Sequence, residues 1–206
     1  MEREAKFYIA DLDALRATLE RVGALLIQPR THEHNLRFDT PDGRLTRDAQ
    51  VLRLRRDTAN RLTFKGPQRV HEGVAERVEI EFTVGDFENA RQLLEALGYR
   101  VSMIYEKYRA VYNLEGTLVT LDEMPFGNFA EIEGADGESI RATCEQLGLL
   151  WEARTLQSYA LIFETVKQNL GLTFRDLTFE NFDGIRVAPS HLEVIPADFP
   201  SLPHTT

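Results

Sequence analysis

The sequence contains a single cysteine, Cys144, among its 206 residues. One cysteine cannot form an intramolecular disulfide framework, and it excludes a zinc site built from several cysteines. The sequence also lacks an apolar run long enough to cross a bilayer, and no apolar run follows a basic segment near its start. We therefore expect a soluble, cytoplasmic protein with no signal peptide and no membrane partner.

Positive charge is the minority charge of this chain. It has 24 lysines and arginines against 33 aspartates and glutamates, which gives a formal net charge of −9. A nucleic-acid binder normally shows a basic face, so we expect no nucleic-acid partner. The same balance leaves room for a local basic pocket that binds a phosphorylated small molecule. The length suits one domain with an appendage, and 43% hydrophobic content is enough for a core.

The pattern of apolar and polar residues predicts an α+β protein that is dominated by strands. We predict eight strands, at 2–9, 25–38, 50–57, 60–66, 75–84, 99–112, 116–123 and 128–135. Helical spacing and capping signals predict helices at 11–22, 86–97, 137–147 and 154–168. The segment 67–73 is interpreted as a polar, flexible loop. Residues 169–206 hold four of the eight prolines, which indicates an irregular C-terminal tail packed outside a domain at 1–168.

Charged residues repeat at a spacing of two along the predicted strands. Glu2, Glu4 and Lys6 form the first such set, and side chains two apart on a strand point to one face. The same habit recurs at Arg53 and Arg55, Glu79 and Glu81, Lys107 and Arg109, and Glu131 and Glu133. A strand face full of ionised groups is tolerated only where it is wet, paired or built to hold ions.

Two topologies accommodate these charged faces. An open sheet would solvate them, which is common for antiparallel sheets, whereas a closed barrel would turn them inwards. Solvated faces usually also carry serine, threonine, asparagine and glutamine, but these faces carry mainly glutamate, arginine and lysine. The concentration of opposite charges on several strands favours the closed barrel, although the open sheet stays possible at this point.

An interior with both signs of charge suits a metal–polyphosphate complex. Arginine binds phosphate through its bidentate fork and lysine binds it as a point charge. Clustered carboxylates without cysteine or paired histidines suit a hard cation such as Mg²⁺ or Mn²⁺. Cations and a metal ion together would neutralise phosphate oxygens, as phosphoryl-transfer sites do.

The motifs resemble those of the CYTH domains, or triphosphate tunnel metalloenzymes, over residues 2–165. The resemblance is carried, in family order, by the N-terminal acid-x-acid-x-lysine triplet, LRLR at 52–55, TFKG at 63–66, RVEIE at 77–81, EKYR at 106–109 and LDEMPFGNFAEIEG at 121–134. It implies an eight-stranded antiparallel β-barrel that forms a tunnel, with flanking helices and a bound Mg²⁺ or Mn²⁺. Family members include class IV adenylyl cyclases, thiamine triphosphatases and inorganic triphosphatases.

The resemblance also implies a role for each charged position. The metal ligands would be Glu2, Glu4, Asp122, Glu131 and Glu133. The triphosphate-binding cations would be Lys6, Arg53, Arg55, Lys65, Lys107 and Arg109. Glu79 and Glu81 would support those cations or a second metal. Lys107 and Glu4 would be catalytic, with Lys107 positioning or activating the attacking water.

The second predicted strand departs from the family pattern. The family commonly has an acidic residue and an aromatic before the Phe-Asp turn, where this sequence has Asn35 and Arg37. Asn35 supplies no negative charge there, and Arg37 is expected to add a supporting phosphate contact. The substrate preference of any one family member therefore does not transfer to this chain.

Three functions follow from the resemblance. We favour hydrolysis of a triphosphate such as ATP, tripolyphosphate or thiamine triphosphate. The first alternative is a class IV adenylyl cyclase that converts ATP to cyclic AMP and pyrophosphate. The second alternative is a non-catalytic module that binds polyphosphate or nucleotide. Family members are often dimers, so a homodimer is an additional expectation.

Overall fold

The computed structural model describes residues 2–198 and places eleven strands in one antiparallel sheet. The strands are β1 (Glu2–Ile9), β2 (Leu25–Asp39), β3 (Val51–Arg56), β4 (Asn60–Lys65), β5 (Arg69–His71), β6 (Val74–Arg77), β7 (Glu79–Val84), β8 (Arg100–Leu114), β9 (Thr117–Met124), β10 (Gly127–Glu133) and β11 (Arg154–Thr155). Their order is β5-β6-β1-β10-β9-β8-β2-β3-β4-β7, and β11 also pairs with β1.

Helices lie between and after these strands. They are α1 (Leu12–Arg21), α2 (Arg44–Arg47), α3 (Phe87–Ala96), α4 (Gly137–Gln146), α5 (Tyr159–Leu170) and α6 (Pro189–Leu192). The side chains of Asp11 and Asp86 accept hydrogen bonds from the first turns of α1 and α3, which is why both helices start there. None of the helices in residues 2–198 is long and apolar enough to span a membrane.

One bent segment, residues 74–84, brings the two ends of the sheet together. Its first half, β6, pairs with β1, so that Arg77 lies opposite Glu2. Its second half, β7, pairs with β4, so that Glu79 lies opposite Lys65. Chain continuity at Val78 therefore closes the sheet into a tunnel, as the predicted antiparallel barrel requires. The predicted strand 75–84 is thus two strands that share a bend.

The predicted loop at 67–73 is wrong, because β5 and β6 form a hairpin there. Glu72 and Gly73 connect them with φ angles of 52° and 78°, the left-handed pair that a tight hairpin turn needs. The helix predicted at 154–168 begins at Tyr159, five residues later than predicted. Residues 154–155 instead form the short strand β11, which pairs with β1. Ser158 caps α5 by accepting a hydrogen bond from the Leu161 amide.

Three apolar clusters pack the barrel. The first joins the outer face of β1 to α1 and α4, and the second joins α3 to β2 and β3. The third contains α5, the tail, and three side chains that continue the inward faces of their strands, namely Tyr8, Met124 and Phe129. Because strand faces alternate, these three lie in line with Lys6, Asp122 and Glu131. The barrel interior therefore changes from charged to apolar at one end.

The C-terminal tail packs against that apolar end rather than only wrapping the outside. Leu177, Phe182 and Leu192 are buried there, and the amide of Ala197 donates to the Tyr8 carbonyl oxygen at 2.9 Å. Helix α5 runs to Leu170, two residues past the predicted end of the first domain. The division at residue 168 stays a prediction, and the part of the predicted tail at 199–206 lies outside the described residues.

Candidate active site in the barrel

The barrel encloses a cavity of about 430 Å³ that is lined by charged side chains from most of its strands. Its eight cations are Lys6, Arg37, Arg53, Arg55, Lys65, Arg77, Lys107 and Arg109, and its six acids are Glu2, Glu4, Glu79, Glu81, Glu131 and Glu133. The lining thus has two more cations than acids, and the buried acids Glu33 and Asp122, which pair with Lys107 from behind the wall, balance this difference. Every predicted site residue lines the cavity except Asp122. Cations and acids thus share the wall of one cavity.

Glu2 is held by two cations. Its carboxylate lies 2.6 Å from Lys65 Nζ and 2.9 Å from Arg77 Nε. Burial alone would raise the pKa of Glu2, but Lys65 and Arg77 lower it to about 2. Lys65 also contacts Glu79 at 3.1 Å, so this lysine is shared between two carboxylates. Glu2 is therefore ionised and firmly positioned at one side of the cavity.

Glu133 is the acid that has no cation of its own. Among residues 2–198 it makes no ion pair, although Glu2, Glu4 and Glu79 lie nearby. Burial, followed by repulsion from these three carboxylates, raises the pKa of Glu133 to about 7. Converging carboxylate oxygens with uncompensated charge are the donor set that a hard divalent cation prefers. In the described residues no three such side chains are already arranged as a coordination shell.

Glu133 makes the stability of the metal-free protein depend on pH. Its folded-state pKa, about 7, exceeds its ordinary value of 4.5, so folding favours the protonated form. Its contribution to the free energy of unfolding is full below pH 4.5 and is lost as the pH rises through 7. We expect the loss to be on the order of 2 kcal/mol after solvent screening.

Thermal unfolding in a chelating buffer from pH 4 to 8 measures this effect. The Glu133→Gln variant should not show this loss of stability as the pH rises. The difference in stability between the wild type and the variant therefore measures the effect of the Glu133 carboxylate alone. Parallel stability profiles for the two proteins would contradict the shifted pKa.

Asp122 lies beneath the cavity wall and is saturated with donors. Lys107 Nζ approaches it at 3.0 Å, Arg109 Nε at 2.6 Å and the Tyr159 hydroxyl at 2.8 Å. Its exposure is 0%. Because three donors already occupy its oxygens, this geometry favours an anchoring role for Asp122 over the predicted metal ligation.

Glu131 is likewise paired, since Lys6 Nζ lies 2.9 Å from one oxygen and Arg109 contacts the other. Burial would raise the pKa of Glu131, but Lys6 and Arg109 hold it well below its usual range. Unlike Asp122, Glu131 reaches the cavity, so it combines a place on the wall with two cationic partners. Of the predicted ligands, Glu4 and Glu133 have the weakest cationic pairing.

Glu81 organises the arginines of β3. Arg53 and Arg55 each approach its carboxylate at 3.3 Å, and the Thr63 hydroxyl donates to it at 2.8 Å. Arg53 Nη1 also donates to the Tyr105 hydroxyl at 3.2 Å. Both guanidinium groups are thereby fixed on the wall, in keeping with the supporting role predicted for Glu81.

Arg37 is the cation that has no anion of its own. It lines the cavity beside Arg53, and within residues 2–198 it makes no ion pair with an acidic side chain. Burial lowers the pKa of Arg37, and the positive charges of Arg77 and Arg53 add to this effect, while Tyr105 and Asp39 partly oppose it. An arginine held in this way is suited to a phosphate group that approaches through the cavity.

Glu33 is a buried acid that the sequence analysis did not select. It is 1% exposed and lies 3.6 Å from Lys107 and 3.8 Å from Arg55. Burial would raise the pKa of Glu33, but Lys107, Arg109 and Arg55 lower it to about 2. Since Glu33, Asn35 and Arg37 alternate on β2, the missing acidic charge is supplied two residues before Asn35. That period-two spacing was a signal present in the sequence.

Replacing this buried anion should weaken the support of two cavity cations. We expect Glu33→Gln to lower the free energy of unfolding by about 2 kcal/mol, because Arg55 and Lys107 lose a charged partner. The cost stays moderate since Asp122 still pairs with Lys107. Denaturant unfolding measures it, and Glu123→Gln, which breaks an exposed pair with Arg30, is the matched control. Equal stabilities of the two variants would contradict the role of Glu33.

Tyr105, Tyr159 and Leu177 also line the cavity and were not predicted. Tyr105 alternates with Lys107 and Arg109 on β8, so its inward direction could have been read from the sequence. Tyr159 and Leu177 come from α5 and the tail, and no periodicity links them to the barrel strands. Only the packing of the C-terminal part brings them to the site.

Comparisons with known proteins agree with this architecture. The CYTH domain family matches residues 1–144. The adenylate cyclase CyaB of Aeromonas hydrophila is 28% identical over 135 residues, which cover 64% of this chain and 67% of that protein. A protein of Methanocaldococcus jannaschii, named as a proposed adenylate cyclase, is 28% identical over 135 residues, which cover 65% of this chain and 76% of that protein.

Solved structures share the fold. A Vibrio parahaemolyticus structure has a TM-score of 0.71 and 23% identity, and the match covers 80% of this chain and 98% of the other. A proposed adenylyl cyclase from Hippeastrum, described as having a dominant triphosphatase activity, has a TM-score of 0.60 and 21% identity over 80% and 96% of the two chains. With the family match spanning most of the chain and a charged antiparallel tunnel at its centre, this protein is a member of the CYTH domain family.

Proposed function

We propose that the protein is a divalent-metal-dependent enzyme that hydrolyses a triphosphate inside the barrel. One observation carries the proposal: the same cavity holds an arginine without an anion, Arg37, and a glutamate without a cation, Glu133. A metal–triphosphate complex supplies both missing charges at once, since its phosphates are anionic and its metal is cationic. A purely structural ion-pair network would leave neither group unmatched.

The cationic side chains bind the phosphates. Arg37 and Arg53 lie on adjacent strands and offer planar forks, while Lys107 is held between Glu33 and Asp122. Lys6, Lys65, Arg55 and Arg109 complete the cationic wall. Most of these cations already hold a protein carboxylate, so a bound triphosphate would have to compete for them or share them. Preorganised charge of this kind stabilises the charge that develops in phosphoryl transfer.

The carboxylates of β1 and β10 would hold the cation. Glu4 and Glu133 lie opposite each other on these strands, and Glu2 is close to both. Carboxylate oxygens suit Mg²⁺ or Mn²⁺, and when bound such an ion neutralises phosphate oxygens. Glu131 and Asp122 would contribute mainly by positioning Lys6, Lys107 and Arg109. Lys107, fixed by two carboxylates, would orient the attacking water, whose attack on the terminal phosphorus releases orthophosphate.

A class IV adenylyl cyclase is the second candidate, because the Aeromonas hydrophila relative is named as an adenylate cyclase and the Methanocaldococcus jannaschii relative as a proposed one. In that reaction the ribose 3′ hydroxyl of ATP attacks the α-phosphorus and pyrophosphate leaves. It requires a site that recognises the nucleoside and holds the triphosphate in the opposite direction. The family match ends at residue 144, before the C-terminal part of the cavity wall, and the names of these relatives do not decide the reaction here.

Product analysis separates the two reactions. The purified protein is incubated with ATP, tripolyphosphate or thiamine triphosphate, each with Mg²⁺ or Mn²⁺. Orthophosphate release without cyclic AMP supports the triphosphatase, and cyclic AMP with pyrophosphate supports the cyclase. Binding without any product would support a non-catalytic module instead. The homodimer and the cytoplasmic location stay predictions.

A further inference from the structure

Tyr105 is a titratable side chain of the cavity wall that belongs neither to the phosphate-binding cations nor to the metal-binding acids. It lies on the inward face of β8, two residues before Lys107, and it lines the cavity. It is only partly buried, so part of the side chain is accessible from the cavity. Its partner across β2 is Asn35, which pairs in turn with Arg55 on β3. Tyr105 therefore lies on the cationic side of the cavity.

Hydrogen bonds hold the backbone on both sides of Tyr105. The Ile104 amide donates to the Asp176 carboxylate, and the Glu106 amide donates to the Leu177 carbonyl oxygen, both at 2.9 Å. The Ile104 carbonyl oxygen accepts from the Leu177 amide at the same distance. The segment that makes these contacts lies beyond the family match, which ends at residue 144. The phenol ring thus enters the cavity from a fixed point, as a preorganised contact requires.

The Tyr105 hydroxyl has a proton that no protein group uses. Its oxygen accepts a hydrogen bond from Arg53 Nη1 at 3.2 Å. A phenolic hydroxyl can also donate one hydrogen bond, but among residues 2–198 no oxygen accepts it, whereas the Tyr159 hydroxyl donates to Asp122. Arg53 does not depend on this contact alone, because Thr63 and Glu81 also hold it, at 3.2 and 3.3 Å. The proton of Tyr105 is therefore available to a ligand.

Two cations make this hydroxyl a stronger donor. Burial would raise the pKa of Tyr105, but the positive charges of Arg53 and Lys107 lower it. A hydrogen bond from such a hydroxyl to an ionised acceptor is roughly twice as strong as one between neutral groups. The acceptor that suits a donor beside two cations is an anionic oxygen. In a cavity that binds a triphosphate, that acceptor is a phosphate oxygen.

We propose that the Tyr105 hydroxyl is a further substrate-binding group, which donates a hydrogen bond to a phosphate oxygen of the triphosphate beside Arg53. As a neutral donor it adds no charge to a wall in which Arg37 and Arg53 already repel each other. The inference rests on the proposed function of the same cavity and adds one contact to it.

The test removes one hydroxyl group from each of two tyrosines on the same strand. Tyr105→Phe keeps the ring and loses the donor. Tyr108→Phe is the matched control, because the Tyr108 ring lies on the outer face of β8 against His32 and Phe179. Calorimetric binding of tripolyphosphate in a chelating buffer measures the affinity without dependence on metal or turnover. We expect Tyr105→Phe to bind roughly tenfold more weakly and Tyr108→Phe to bind within about twofold of the wild type.

A second background separates a direct contact from the positioning of Arg53. If Tyr105 acted only by holding Arg53, its hydroxyl would have no effect once Arg53 is replaced. The affinities of Arg53→Gln and of the double variant Arg53→Gln/Tyr105→Phe are therefore compared. We expect the double variant to bind at least roughly threefold more weakly than Arg53→Gln. Where binding falls below the calorimetric range, kcat/KM at low tripolyphosphate concentration with Mg²⁺ compares the two variants.

Three results would overturn the inference: wild-type affinity in Tyr105→Phe, an equal loss in Tyr108→Phe, or equal values for the two Arg53 variants. Each leaves the proposed function standing while the wild type still hydrolyses a triphosphate. A wild type that binds tripolyphosphate but hydrolyses no triphosphate would overturn the proposed function, and the binding measurements would still decide the contact of Tyr105. A wild type that does not bind tripolyphosphate would overturn both.

Discussion

Glu4→Gln is expected to reduce triphosphate turnover at least a thousandfold while the protein stays folded. Glu4 lies at the centre of the acidic group, opposite Glu133, and its nearest cations are 3.5 and 3.8 Å away. An uncharged amide in its place weakens cation binding, which removes several kcal/mol of charge stabilisation from the transition state. Steady-state rates over a range of Mg²⁺ and Mn²⁺ concentrations measure the loss.

The matched control is Glu76→Gln on the neighbouring strand. Glu76 pairs with Arg3 on the outer face of the barrel. Its replacement should therefore leave turnover nearly unchanged. Calorimetry in a chelating buffer should show that Glu4→Gln keeps part of the metal-independent affinity for tripolyphosphate, because the cationic wall is intact. Wild-type turnover in Glu4→Gln would refute the placement of the metal on β1.

Arg37→Gln is expected to weaken triphosphate binding roughly ten- to a hundredfold without lowering stability. A charged hydrogen bond to phosphate contributes about 1.5–3 kcal/mol, and Arg37 forms no ion pair with a carboxylate in the described residues, although Asp39 attracts it from a greater distance. Removing a partly buried cation that lies near Arg53 and Arg77 relieves repulsion. The melting temperature should therefore stay constant or rise while the affinity falls, a combination typical of a functional residue.

Arg56→Gln serves as the control for this pair of measurements. Arg56 lies on the outer side of β3, above the Phe87 ring at 4.9 Å. Its loss should reduce stability slightly and leave the affinity for tripolyphosphate unchanged. If Arg37→Gln binds tripolyphosphate as tightly as the wild type, Arg37 does not contact the phosphates. The unpaired state of Arg37 then no longer supports the proposed function.

The sequence by itself predicted most of the cavity wall, and its resemblance to a known family predicted the barrel. Residues two apart on a strand share a face whatever the rest of the chain does, so Glu2, Glu4 and Lys6 had to lie together. Repetition of that pattern on several strands favoured a polar interior over a solvated open sheet. The pattern at residues 75–84 predicts one strand and gives no sign of the bend at Val78. Glu33 could have been identified by the same reasoning, since it lies two residues before Asn35 and four before Arg37 on the same strand.

The tertiary structure alone decided how the charges are matched and what closes the barrel. Strand alternation shows that Asp122 and Glu133 point inwards, but not that Asp122 is saturated by Lys107, Arg109 and Tyr159 while Glu133 has no cation. Those differences depend on which side chains meet across the tunnel. The position of Leu177 likewise follows from pairing with a distant strand edge and from burial among aromatic side chains. Contacts between segments so far apart in the chain leave no local period in the sequence, so only the folded arrangement determines them.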